Sequence, residues 1–149
     1  MLYTILNTGM RRGEIIALRW ENVDFIKNKI YVRESEYKAQ QGTPKSESSI
    51  RDIDMHADVR KILLEQKLKS GNSEFVFPNS KGGMFMGNNI TRRYFVPVLK
   101  ASNIGYLRLH DTRHTYGSIL LENNTPIKYV QEQMGHSSCK VTLDIYNHS

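Results

Sequence analysis

Hydrophobic side chains recur every three to four residues over much of the chain, which is the spacing of an α-helix with one buried face. A first helix is predicted to end near Asn7, where Thr8-Gly9 breaks the pattern. A second is predicted to run from about Arg11 to Leu18. Its inward-facing residues are expected to be Ile15, Ile16 and Leu18.

Between Val23 and Met55 the pattern changes to short segments rich in Val, Ile and Tyr, the residue types favoured in strands. The segments are VDFI, KIYVRE and SIRDIDM, separated by Lys27-Asn28 and by a polar stretch from Tyr37 to Ser48. They predict a small three-stranded antiparallel sheet with one long loop.

Helical spacing then returns. A helix around Leu63 is predicted to stop at Gly71, and Phe75-Val76-Phe77 has the composition of a short buried extended segment. Another helix is expected between Asn88 and Ser102, kinked or divided by Pro97 because proline lacks a backbone donor. The side chains that set its spacing are Ile90, Tyr94 and Leu99.

Two further helices are predicted, one from about Asp111 to Glu122 and one that opens at Thr125-Pro126 and ends at Gly135. Threonine suits the capping position and proline the first helical position. The expected inward residues are Tyr116, Ile119 and Leu120 in the first of these helices and Ile127, Val130 and Met134 in the second. The fold class is therefore α+β, mainly helical with a small sheet near the N-terminal third.

Composition narrows the possible classes of protein. The 149 residues are 39% hydrophobic, enough for one domain with a modest core. The net charge of +6 suits a polyanionic partner such as nucleic acid. Because Cys139 is the only cysteine and no apolar run is long enough to span a bilayer, we expect a cytoplasmic protein without membrane contact.

Four motifs carry candidate chemistry. T-G-M-R-R-G-E places Arg11 at a helix start, H-D-T-R places His110 and Arg113 three residues apart, and G-H places His136 after a helix end. Tyr146 follows ten residues later, and it is one of eight tyrosines. Each motif alone is common, and Arg12 competes with Arg11 for the first position.

A metal site is an alternative interpretation of the same region. His110 and His114 are four residues apart and could face one metal, with His136 and Cys139 completing the ligands. The spacing matches no zinc pattern, and we expect Cys139 and His114 to be packing residues instead.

Taken together and in this order, the motifs resemble the tyrosine recombinase (phage integrase) family across essentially the whole chain. The pattern in that family is an arginine, a hairpin lysine, H-x-x-R, G-H and a tyrosine nucleophile. The matching positions are Arg11, Lys45, His110, Arg113, His136 and Tyr146. The resemblance implies a site-specific recombinase or integrase that cuts and rejoins DNA through a 3′-phosphotyrosine, without metal, ATP or another cofactor.

The resemblance also implies a role for each residue. Arg11 and Arg113 would hold the scissile phosphate, since guanidinium groups match phosphate geometry and stay charged. A tyrosine normally has a pKa near 10, so Tyr146 is protonated at neutral pH. His110 and the surrounding cations would promote loss of its proton. Lys45 would protonate the departing 5′-hydroxyl. In addition, His136 would donate a hydrogen bond to a phosphate oxygen and Glu14 would orient Arg11.

Members of the family carry a separate N-terminal DNA-clamping domain, and they act as homotetramers on double-stranded DNA at a specific recombination site. The first helical pattern begins at Leu2 without a capping residue, so residues 1–149 are expected to be a fragment that lacks the clamp and most of the C-terminal tail. No small-molecule substrate is expected. Two rivals stay open: a non-catalytic DNA-binding module of the same fold, and type IB topoisomerase-like relaxation of DNA.

Overall fold

The computed structural model describes residues 1–33, 50–85 and 89–147, with side chains as far as Leu143. Within these ranges the chain forms seven α-helices, a 3-10 turn and a π-helical turn. The helices are α1 (Leu2–Thr8), α2 (Arg12–Ile16), α3 (Ala57–Ser70), α4 (Val96–Ala101), α5 (Asp111–Glu122), α6 (Ile127–Met134) and α7 (Cys139–Asn147). The 3-10 turn spans Trp20–Asn22 and the π-helical turn spans Thr91–Phe95.

The sheet has three antiparallel strands in the order β1-β2-β3. The strands are β1 (Val23–Asp24), β2 (Lys29–Val32) and β3 (Arg51–Asp54). Ile30 pairs with Val23 on one side and with Ile53 on the other, so the apolar residues of the three strands share one buried face. The predicted mainly helical α+β fold with a small antiparallel sheet is confirmed.

Two separate apolar regions lie inside the molecule. The large apolar core fills the space between the sheet and helices α1 to α4. It includes the predicted inward residues Ile15, Ile16 and Leu18 of α2 and the extended segment 75–77, which is buried as expected. The small apolar cluster consists of Tyr116, Val130 and Met134, between α5 and α6.

The segment before α4 differs from its prediction. Pro97 lies at the start of α4 and a π-helical turn precedes it, so the helix is divided near the proline as expected. Tyr94, however, is 43% exposed, and Phe95 is buried in its place. A π-helical turn contains an extra residue, which rotates the following positions around the helix axis. A regular 3.6-residue spacing from Ile90 would place Tyr94 on the buried face, whereas the structure buries Phe95.

Two smaller expectations are wrong, one in α5 and one at the start of α6. Ile119 is 51% exposed, because the buried face of α5 passes through Arg113 and Tyr116 instead. Thr125 is not the cap of α6, since Pro126 holds the N-cap position and the backbone N–H of Thr125 closes the end of α5 on Leu120.

None of the described helices combines the length and apolar character that a bilayer span requires.

Candidate active site

The site is built around the C-terminal end of α6. Gly135 ends this helix in the left-handed conformation at φ 61°, and the backbone N–H of His136 donates to the carbonyl of Gln131 at 3.1 Å. This closing turn leaves the last carbonyls of the helix without intrahelical donors, and the helix dipole makes them a favourable place for cations.

Three arginines from three different elements meet these carbonyls. Arg11 comes from the start of α2, Arg51 from β3 and Arg113 from α5. The three pairs are Arg51 Nε to Gln133 O at 2.7 Å, Arg11 Nη2 to Gly135 O at 2.9 Å, and Arg113 Nη2 to Met134 O. We refer to Arg11, Arg51 and Arg113 as the arginine cluster.

Glu14 joins two members of the arginine cluster. Its Oε1 accepts from Arg11 Nη1 at 2.8 Å and from Arg51 Nη1 at 2.9 Å, and its Oε2 accepts from Arg51 Nη2 at 2.9 Å. Oε2 also accepts the backbone N–H of Arg11 at 2.7 Å, as in a capping box. Burial alone raises the pKa of Glu14, but the hydrogen bonds and charges of Arg51 and Arg11 outweigh it and lower the pKa to about 2.

Arg113 is 2% exposed and donates to the carbonyls of Gly9 and Met134. Gly9 ends α1 at φ 60°, and a Cβ there would lie 2.5 Å from Tyr116 Cδ1, so only glycine fits. Burial and the positive charges of Arg11 and Arg51 lower the pKa of Arg113 to about 9. The guanidinium is therefore still charged at neutral pH, in surroundings that favour a nearby anion.

The two histidines lie beside this cluster, and its charges disfavour their cationic forms. Burial, Arg113 and Arg11 lower the pKa of His136 to about 4. Its Nδ1 is 3.0 Å from the hydroxyl of Thr142, which is fully buried in α7. The pKa of His110 is also lowered, by burial first and then by His114 and Arg113.

The described parts of the site carry an excess of positive charge next to an open cleft. Glu14, the one carboxylate that contacts the arginine cluster, pairs with Arg11 and Arg51, while Arg113 donates to backbone carbonyls. Three guanidiniums and one carboxylate leave two positive charges. A cleft of about 430 Å³ adjoins them, lined among others by Arg11, His110 and Arg113. Such a site can bind an oxyanion and stabilise negative charge that develops on it.

The structure thus brings four predicted residues and one supporting residue together, namely Arg11, His110, Arg113, His136 and Glu14. Lys45 lies outside the described residues. Tyr146 lies on α7, the helix that also carries Thr142, and its side chain is outside the described part. The chemical roles of these residues stay predictions.

Sequence reasoning left Arg51 without a role, although it lies only six residues after Lys45. The overlooked signal is the alternation in SIRDIDM, where Arg51, Ile53 and Met55 share one strand face. All three are buried, at 8%, 0% and 5% exposure. An arginine that faces inward requires a carboxylate or carbonyl partner, and Glu14 and Gln133 supply both.

The region considered for a metal has a different arrangement. Among residues 1–33, 50–85 and 89–147, no three His, Cys, Asp or Glu side chains are grouped so as to hold a metal ion. The expectation that Cys139 packs in the interior is wrong, because its thiol is exposed and lies 2.8 Å from Oε1 of Gln131. The rings of His110 and His114 make an edge-to-face contact with centroids 5.0 Å apart.

Curated relatives match almost the whole chain. A tyrosine recombinase XerC from Oceanobacillus iheyensis is 31% identical over 99% of this chain and 48% of its own length. A XerC-like tyrosine recombinase from Caldanaerobacter subterraneus subsp. tengcongensis is 29% identical over 95% of this chain and 43% of its own length. The chain therefore spans less than half of these relatives.

Solved structures give the same result. The XerA recombinase aligns with a TM-score of 0.79 at 25% identity, over 98% of this chain and 51% of that protein. A Tn1549 transposon integrase in complex with circular intermediate DNA has the same fold, with a TM-score of 0.82 at 21% identity, over 97% of this chain and 52% of that one. The model of the phage integrase family matches residues 1–149 in full. The chain belongs to the phage integrase family.

Proposed function

We propose that this chain is the catalytic domain of a site-specific DNA recombinase that cuts and rejoins DNA strands through a covalent 3′-phosphotyrosine at Tyr146. The observation that carries the proposal is the arginine cluster, whose surplus positive charge lies beside an open cleft. A phosphodiester is an anion whose negative charge increases on its non-bridging oxygens during attack. Arg11 and Arg113 line the cleft and would bind those oxygens.

In the cleavage step, the phenolate oxygen of Tyr146 attacks phosphorus and the bond from phosphorus to the 5′-oxygen breaks. The departing 5′-oxygen takes a proton from Lys45 and leaves as a hydroxyl. One phosphodiester is lost and one phosphotyrosine ester is formed. In the second step a 5′-hydroxyl of another strand gives its proton to Lys45 and attacks phosphorus, the bond to Tyr146 breaks, and the tyrosine takes its proton back from His110. Because one ester bond replaces another in each step, this route requires no ATP.

The histidines fit this route because their lowered pKa values keep them neutral at neutral pH. His110 would accept the proton of Tyr146. A hydroxyl hydrogen donated by Thr142 to Nδ1 of His136 leaves the proton of that ring on Nε2. Nε2 would then donate to a phosphate oxygen.

We propose double-stranded DNA as the partner, bound at a specific site in the cytoplasm by a homotetramer of the whole protein. The net charge of +6 favours a polyanion. Support by analogy comes from the XerH recombinase bound to its difH substrate, which shares the fold with a TM-score of 0.75. A lambda integrase dimer bound to a core site also shares the fold, with a TM-score of 0.67.

The test uses a pool of nicked duplexes with randomised sequence around the nick. Cleavage near a nick releases a short strand that diffuses away, so the covalent protein–DNA adduct accumulates. We expect adducts that survive denaturant, carry an enriched sequence and disappear in Tyr146→Phe. Tyr3→Phe, a change at an exposed position of α1, is the matched control and should keep them. Adducts formed by Tyr146→Phe would contradict the nucleophile assignment.

The same preparation separates this function from its two rivals. A non-catalytic binding module would shift DNA on native gels without forming any denaturant-resistant adduct. A topoisomerase would relax supercoiled plasmid that lacks the enriched sequence. We expect no relaxation of such plasmid.

A further inference from the structure

We propose that Arg51 is a positioning residue for DNA cleavage: it holds Arg11, through Glu14, and the final turn of α6 in the arrangement that binds the scissile phosphate. The inference rests on the proposed function and adds a residue to it. Arg51 is not expected to touch DNA itself. The described lining of the cleft includes Arg11 and Arg113 and does not include Arg51.

The first support is that Arg51 makes three contacts with two separate parts of the site. Its Nη1 and Nη2 donate to the two carboxylate oxygens of Glu14, each at 2.9 Å, and its Nε donates to the carbonyl of Gln133 at 2.7 Å. The side chain is 5% exposed. With all three guanidinium nitrogens engaged inside the protein, the group has little capacity left for a phosphate.

The second support is the close fit against the turn that ends α6. A Cβ added at Gly135 would lie 2.9 Å from Arg51 Cδ and 3.1 Å from its Nη1. The Arg51 side chain therefore lies directly against this turn. The same turn supplies the carbonyls that Arg11 and Arg113 bind, and it leads into His136. A shift of Arg51 would move all three residues together.

The third support is that further contacts join β3 to α6 at the residues that follow Arg51. The side-chain amide of Gln133 accepts the backbone N–H of Asp54 at 2.9 Å and donates to the carbonyl of Asp52 at 3.2 Å. The Tyr129 hydroxyl donates to Asp54 at 2.6 Å. These contacts fix the strand that carries Arg51 relative to the helix that ends at Gly135.

The chemistry of the contacts requires arginine. A planar guanidinium can meet both oxygens of Glu14 while its Nε reaches the carbonyl of Gln133. A lysine at position 51 keeps the positive charge but has a single nitrogen, and a methionine keeps only the volume. Without Arg51, the carboxylate of Glu14 loses two donors and no longer holds Arg11 in one orientation.

The experiment compares Arg51→Met and Arg51→Lys with the original chain on the nicked duplex enriched in the random pool. Arg33→Met is the matched control, because Arg33 directly follows β2 and forms an exposed ion pair with Asp52 at 2.7 Å. Two quantities are measured: the single-turnover rate of adduct formation with protein in excess, and the dissociation constant over a range of salt concentrations.

We expect Arg51→Met to slow adduct formation by about 100-fold, the loss typical of misplaced catalytic groups. The plot of log dissociation constant against log salt should keep its slope, because no phosphate contact is lost. Arg51→Lys should cleave at a rate between those of Arg51→Met and the original chain. Arg33→Met should cleave at the original rate. A slope reduced by about one unit in Arg51→Met would overturn the proposal and show a direct phosphate contact. Equal rates for Arg51→Met and Arg33→Met would overturn it as well.

The double variant Glu14→Leu/Arg51→Met separates positioning from simple neutralisation of a buried charge. Replacing both partners of a buried ion pair with apolar residues often preserves stability. We expect the double variant to regain the thermal stability lost in Arg51→Met and to cleave as slowly. Recovery of the rate together with stability would show that Arg51 has only a structural role. Failure of the original chain to form an adduct at Tyr146 would count against the proposed function instead.

Discussion

The large apolar core and the small apolar cluster differ in what attaches their helices to the rest of the molecule. Around the large apolar core, α1 to α4 and the sheet are held by side chains that are completely buried, such as Ile16, Ile53 and Leu63. The small apolar cluster has three buried members, between α5 and α6. Polar contacts connect these two helices to α1, α2 and β3.

This difference separates stability from geometry. Apolar contact is non-directional, so the large apolar core stabilises the fold and tolerates small displacements. Hydrogen bonds to guanidinium and amide groups depend on angle and distance, so they fix Arg113 and His136 in place. Changes in the core should therefore reduce stability, whereas changes at the end of α6 should reduce the cleavage rate.

The largest effect on stability is expected from Leu63→Ala in α3. Leu63 is completely buried in the large apolar core, and such truncations cost about 2–5 kcal/mol. Urea unfolding measures this loss, and single-turnover cleavage well below the transition should be unchanged. Its neighbour Leu64 is 39% exposed, so Leu64→Ala is the control and should cost far less. A slower cleavage step in folded Leu63→Ala would break the separation between the two regions.

The second prediction concerns Gly135→Ala. The left-handed backbone costs about 1–2 kcal/mol with a side chain, and the contact with Arg51 adds to it, for a total of about 2–3 kcal/mol. Because the turn must move, cleavage should slow by about 100-fold. Gly82→Ala is the control, since Gly82 also has a positive φ but an added Cβ would meet nothing within 4 Å. Equal cleavage by the two variants would show that the turn tolerates displacement.

The third prediction concerns Thr142→Val, which keeps the shape of the side chain and removes its hydrogen bond to His136. Loss of one buried hydrogen bond costs about 1 kcal/mol. The folded variant should still cleave more slowly than the original chain, because Thr142 joins the helix that carries Tyr146 to His136. Thr142→Ser retains the hydroxyl and should retain the rate. If Thr142→Val cleaves normally, the position of His136 does not depend on this bond.

Most of the fold could be predicted because the signals are local. Alternation of Ile and Val in β2 and β3 predicts the sheet, and Gly135 after an apolar repeat predicts the end of α6. The π-helical turn could not be predicted in this way, because one extra residue in a turn is a response to packing. For that reason Phe95, and not Tyr94, is buried.

The sequence predicts those site residues that belong to short motifs. It does not predict a residue whose partners are distant along the chain. Arg11 and Arg113 are found by their motifs, and Glu14 is three residues from Arg11. Arg51 is 37 residues from Glu14 and 82 from Gln133, so no local pattern pairs them. An arginine in a strand is ordinarily expected at the surface. Only the inward alternation of β3 contradicts that expectation, and it does not name the partner.

The smallest expected effect is the pH dependence of stability caused by His136. Its pKa in the folded chain is about 4, below its ordinary 6.5, because burial and the charges of Arg113 and Arg11 disfavour the cation. The unfolded chain therefore binds a proton as pH falls through 6.5 while the folded chain resists it, so stability decreases from pH 6.5 towards 4. The loss should be modest, since His136 is only half-buried and water screens its charge.

In His136→Gln, the urea midpoint should fall less steeply between pH 7 and pH 4.5. Some pH dependence should remain, because the pKa of His110 is also lowered. Glu14 does not contribute in this range. Its folded pKa is about 2 against an ordinary 4.5, so its stabilisation is lost only below pH 4.5. An unchanged pH dependence in His136→Gln would show that the pKa of this histidine is not lowered in the folded chain, and that neither burial nor the arginine cluster disfavours its cation.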